Sequence, residues 1–149
     1  MEHIELSPSE MYAGALAGIM RQIENLRLGR QSTHGADQNK LWQIHIDGAL
    51  GEMAVAKCLG IYWAGKGEFR GPDVGSVDVR SSPLHTNRLI LHPDDPDDRR
   101  FYFVTGMYGK YQVHGWCRGE EGKQDEYWME PPKVRSAAFF VPKTALHPL

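Results

Sequence analysis

The chain has 149 residues, 41% hydrophobic and 24% charged, which is the size and balance of one ordinary domain with little room for a second. Its formal charge of -2 excludes a polycation that binds nucleic acid by bulk charge, though a local basic patch remains compatible with it. No apolar run approaches the roughly 20 residues that cross a bilayer, and "MEHIELSPSE" has neither region of a signal peptide, so a cytoplasmic protein with no membrane partner is expected.

In chain order, the first predicted element is a helix opened by "SPSE", with Ser7 as N-cap, Pro8 in the first turn and Glu10 completing a capping box. Tyr12, Leu16, Ile19, Ile23 and Leu26 recur at helical spacing and predict a buried stripe, ending near Arg30 before the loop residues of "LGRQSTHGAD". A second helix is predicted from about Asn39 to Leu59, stopped by Gly60. Gly48 and Gly51 weaken it, so their presence predicts another backbone segment packed closely against that turn.

Beyond Gly60 the pattern shortens into "VDVRS", "RLILHP", "RFYFVTG", "YQVHGWC" and "AAFFVP", five predicted strands. The polar runs "HPDDPDDRR" and "RGEEGKQDEYWMEPPK" read as solvated loops. No repeat or linker divides the chain, so residues 1–149 form one α+β domain: N-terminal helices on a mixed, mainly antiparallel curved sheet.

The candidate chemistry sits in "GPDVGSVDVRSS", residues 71 to 82. Strand alternation points Asp78 and Arg80 to one face, with Val77 and Val79 on the other. Asp73 precedes them across "VGS", short enough to bring its carboxylate beside that of Asp78. Two neighbouring carboxylates repel unless a cation such as Mg²⁺ lies between them. Glu52 joins this set because its helical neighbours Gly48, Ala49, Val55 and Ala56 are small or apolar, which places an acid on a packing face. Two readings are open: a metal site built from Glu52, Asp73 and Asp78, or a buried Glu52–Arg80 salt bridge with Asp73 capping a turn.

These residues resemble the PD-(D/E)XK nuclease-like superfamily, and in particular small bacteriophage members. "GALGEMAVAKCLG" is similar to the helix carrying that family's acid, Pro72 and Asp73 match "PD", and Asp78, Val79 and Arg80 match "(D/E)xK"; the likeness covers residues 45 to 106. It implies a restriction-endonuclease-like core and a metal-dependent nuclease acting on DNA in the host-cell cytoplasm; a homodimer is compatible with this reading. Mg²⁺, with Mn²⁺ as a substitute, would be held by Asp73, Asp78 and Glu52. The departure is Arg80 in the lysine position. Arginine stabilises phosphoryl charge but is a poor general base, so the alternative is a catalytically inactive relative that binds nucleic acid or a protein partner. Lys66, Arg70 and Arg88 are candidate phosphate contacts.

Rival chemistries find less support. His45, His85, His92 and His114 lack metal-ligand spacing, Cys58 and Cys117 supply only half of a cysteine zinc set, and neither a serine elbow nor a glycine-rich phosphate loop occurs. Trp42, Trp63, Trp116 and Trp128 are assigned to packing.

Overall fold

The computed structural model describes residues 1–31, 36–65, 71–131 and 136–149. Strand β1 (Glu2–Glu5) leads into helix α1 (Pro8–Arg27), and helix α2 (Leu41–Leu59) follows a short helical turn capped by Asp37. Then come β2 (Asp78–Ser82), β3 (Leu89–Leu91), β4 (Arg100–Met107), β5 (Lys110–Arg118), β6 (Trp128–Met129) and β7 (Ala138–Val141). The predicted capping box is formed: Ser7 Oγ accepts from the Glu10 N–H, and Glu10 accepts from the Ser7 N–H at 2.7 Å. Gly60 ends α2 with a φ of 65°, the left-handed conformation that glycine adopts without a steric penalty.

The α+β class is as expected, but the strands divide into two sheets. One is four-stranded in the order β1-β5-β4-β2, and the other is three-stranded in the order β3-β7-β6. Among the described residues only β2 and β4 pair in parallel; every other ladder is antiparallel. Strands β1 and β6 were not among the predicted ones: β1 carries one apolar residue in four, and β6 is only two residues long.

The larger sheet lies between two cores. On one face Leu50, Ala54 and Val55 of α2 pack on Val79, Tyr102, Val104 and Val113. On the other, Phe101 and Phe103 pack with Leu89, Leu91, Val141 and Cys117, most of these from the smaller sheet. This alternation along β4 is the strand period expressed as two buried faces.

Helix α1 packs on α2 with the face opposite to the one predicted. Its buried residues are Gly14, Gly18 and Gln22, whereas Tyr12, Leu16, Ile23 and Leu26 are exposed. The reason is backbone approach: a Cβ on Gly18 would stand 2.5 Å from the Ile46 Cα, and one on Gly14 2.7 Å from the Leu50 Cδ2. Helices that meet this closely must use their smallest residues at the contact. No helix among the described residues is long and apolar enough to cross a membrane.

Candidate functional site

Glu52 is buried, as predicted, and its position follows from the glycine beside it. A Cβ on Gly51 would lie 2.8 Å from the Ser81 Cβ and 3.3 Å from the Val104 Cγ1, so α2 rests directly on the sheet at this turn. Gly48, also predicted to mark a close approach, has nothing within 4 Å of its Cβ position. The buried acid finds its cation on α1. Arg21 donates from Nη1 and Nη2 to Oε1 and Oε2 of Glu52, both at 2.7 Å, and Trp63 Nε1 adds a third bond at 3.2 Å. The Glu52–Arg80 salt bridge, the alternative to a metal site, is not formed: Glu52 pairs with Arg21 and Arg80 with Asp95. Its signal in the sequence is the run Gly14, Gly18, Arg21 and Asn25, which shares one helical face.

Asp73 is brought back to the strand by a tight turn. Val74 and Val77 exchange backbone hydrogen bonds of 3.0 and 2.9 Å, and Gly75 at the tip has a φ of 55°. Asp73 Oδ2 consequently accepts from the Val79 N–H at 2.7 Å. Its Oδ1 accepts no hydrogen bond from any described residue. Burial pushes this carboxyl up to about 7, the charges of Glu52 and then Asp78 push in the same direction, and the Val79 N–H and Arg80 oppose them. Asp73 also lines an open cavity of about 300 Å³ between residues 62–65 and 72–75, with Trp63 in its wall.

Asp78 and Arg80 share a face of β2, as alternation predicts, and it is the face turned toward the smaller sheet. Val79, between them, packs with α2. Glu52 and Asp78 thus lie on opposite sides of the edge strand, and Asp73 is the acid whose ionisation both oppose. Arg99 Nη1 stands 3.4 and 3.3 Å from the two Asp78 oxygens. Burial still raises the Asp78 carboxyl above its ordinary value, against the pull of Arg99 and Arg80. Among the described residues no three His, Cys, Asp or Glu side chains are grouped to hold a metal ion.

Arg80 is anchored on three sides. Its Nε donates to the Ile90 carbonyl at 3.2 Å, its Nη2 to Asp95 Oδ1 at 2.8 Å, and its guanidinium carbon lies 5.0 Å from the Phe101 ring centroid. Asp95 and Arg99 both come from "HPDDPDDRR". That run is more than the solvated loop expected, because it supplies partners to both charged residues of the strand. Asp95 Oδ2 in turn accepts from the His92 N–H, a local turn bond that fixes its carboxylate under Arg80.

The candidate phosphate contacts fare differently. Arg88 is exposed immediately before β3, while Lys66 and Arg70 lie outside the described residues. The histidines are engaged in packing networks: His45 Nε2 pairs with Asn25 Nδ2, and His85 and His114 both hydrogen-bond the buried Thr105 hydroxyl. Compared with protein-family models, curated proteins and solved structures, the chain gives no match.

Proposed function

We propose that the chain is a metal-dependent nuclease of the PD-(D/E)XK type acting on DNA. The observation that carries this reading is Asp73: a half-buried carboxylate with one oxygen held by the Val79 N–H and the other accepting no hydrogen bond from a described residue, on an open cavity, with two further acids opposing its ionisation. Oxygen donors alone, crowded with negative charge, suit a hard divalent cation such as Mg²⁺. Asp73 and Asp78 would hold it, and Glu52 would contribute to the field while it stays clamped by Arg21. When bound, the ion supplies Lewis-acid polarisation of water and of a phosphoryl oxygen.

The remaining work falls to the chain's own side chains. Arg80 and Arg99 flank Asp78 and offer positive charge to a phosphodiester as negative charge develops on its oxygens. Arginine suits charge stabilisation and is a poor general base, so the role of Arg80 is to orient and stabilise. DNA, rather than RNA, and a phage setting rest on the resemblance of "GALGE", "PD" and "DVR" alone.

A second reading is favoured by one specific observation: the carboxylates of Glu52 and Asp78 already have arginine partners. Under it the same face binds nucleic acid or a protein without cutting. Calorimetric titration with Mn²⁺, run beside cleavage assays on single- and double-stranded DNA, separates the two. The nuclease reading expects Mn²⁺ binding that Asp73→Ala removes, together with cleavage. DNA binding without cleavage in either metal selects the inactive relative, and the absence of both metal binding and cleavage overturns the proposal.

A further inference from the structure

Helix α1 turns its large apolar side chains to water. Tyr12 is 73% exposed, Leu16 45%, Met20 63%, Ile23 50% and Leu26 60%, all on a twenty-residue helix whose glycine face is the one packed on α2. Single exposed hydrophobes need no explanation, but a continuous stripe of them marks a surface that another molecule covers.

Its spacing indicates what kind of molecule. Tyr12, Leu16, Ile19, Ile23 and Leu26 are separated by four, three, four and three residues, which is the alternation of an a/d seam. A seam of that period presents knobs to the holes of a second helix. No charged residue interrupts it; Glu24 and Arg27, beside its C-terminal end, pair with each other at 2.6 Å, and Arg30 lies one turn beyond Leu26. Phosphate or an acidic peptide would therefore find no counter-charge along the stripe itself. The exposed apolar surface is on the order of 600 Å², approaching the roughly 800 Å² that each partner contributes to a standard interface.

We propose that this stripe is the interface between two copies of the chain, with the two α1 helices packed antiparallel about a two-fold axis. One surface then meets itself, as a two-fold interface requires. An antiparallel copy opposes Leu16 to Leu26 and Ile19 to Ile23, apolar against apolar at the centre, with Tyr12 of one copy beside Arg30 of the other at each end, and sets the helix dipoles head to tail. The inner face of the same helix carries Arg21, so the dimer braces the element that holds Glu52. The inference does not depend on whether the site cuts DNA.

The test is the mass of the full chain in solution by light scattering at micromolar concentration. The wild type is expected at twice its 16.9 kDa. Leu16→Glu/Ile23→Glu and Leu16→Lys/Ile23→Lys should each halve that mass with an unchanged circular dichroism spectrum, because both positions face water in the single chain. Mixing the two variants should restore the dimer, a result that misfolded protein would not give. A wild type that stays monomeric across the micromolar range overturns the proposal, and so do charge-bearing variants that keep the dimer mass.

Discussion

Arg21 and Glu52, 31 residues apart and on different helices, form a two-pronged ion pair in which both carboxylate oxygens are held at 2.7 Å. The side chains are only 18% and 9% exposed, so neither charge has water to fall back on. Breaking such a pair costs more than the pair contributes, because a buried charge is left behind. Arg21→Met is expected to destabilise the fold by about 3 kcal/mol, lowering the melting temperature by roughly 10 °C for a domain of this size. The double variant Arg21→Met/Glu52→Met should recover most of that loss. A double variant as unstable as the single one would mean that the pair stabilises in its own right.

The contact that brings Arg21 to Glu52 makes a second prediction. Gly18→Ala would place a methyl group 2.5 Å from the Ile46 Cα and 2.6 Å from the His45 carbonyl oxygen, backbone atoms that cannot rotate away. The helices must separate, at a cost of about 3 kcal/mol. Gly48→Ala serves as the control, since nothing lies within 4 Å of its Cβ position; it should stabilise α2 by about 1 kcal/mol. Equal effects at the two glycines in a thermal melt would sink this account of the helix pair.

These two glycines also show where the sequence was legible. Ser7, Glu10 and Gly60 announced the helix ends because capping is local chemistry, read within four residues. The burial of Glu52 was legible from its small neighbours, and β2, β3, β4, β5 and β7 from their apolar runs. The burial of α1 was not, because a stripe of large apolar residues predicts burial only when side chains, and not backbones, make the contact. Gly14 and Gly18 reversed that logic. Asp95 and Arg99 were hidden for another reason: their partners are 15 and 21 residues away, so only the tertiary structure turns a hydrophilic run into a charged frame for β2.

His114 carries the pH prediction. Its ring packs 5.4 Å from Phe103, its Nε2 meets the Thr105 hydroxyl at 2.6 Å, and the charges facing it come from Lys143, His85, the N-terminus and His3. Burial and then these positive charges lower it from 6.5 to about 4. The unfolded chain therefore takes up this proton at a higher pH than the folded one. The contribution is fully present above 6.5 and is lost as pH falls toward 4. Melting temperatures measured across that window should fall with acidity, and His114→Gln should shallow the slope while keeping a hydrogen bond to Thr105. Parallel slopes for the two proteins would show that other groups govern the acid limb.

The last prediction concerns Arg80, whose side chain ties edge strand β2 to the turn that carries Asp95. Arg80→Ala removes that tie, the bond to the Ile90 carbonyl and the contact with Phe101 together. It should cost about 2 kcal/mol of stability as well as any cleavage, so by itself it cannot separate an anchor from a group that acts on phosphate. Asp95→Asn can. It leaves the arginine in place, keeps a hydrogen-bonding oxygen under it, and removes the charge that competes with a phosphodiester for the guanidinium. If Arg80 stabilises phosphoryl charge, cleavage by Asp95→Asn should be maintained or raised although the protein is less stable, and Arg80→Lys should retain part of the rate, because charge matters here more than basicity. If Arg80 only anchors the strand, activity should follow melting temperature through all three variants. Rate and stability that move in opposite directions in Asp95→Asn are the result that assigns Arg80 to the chemistry.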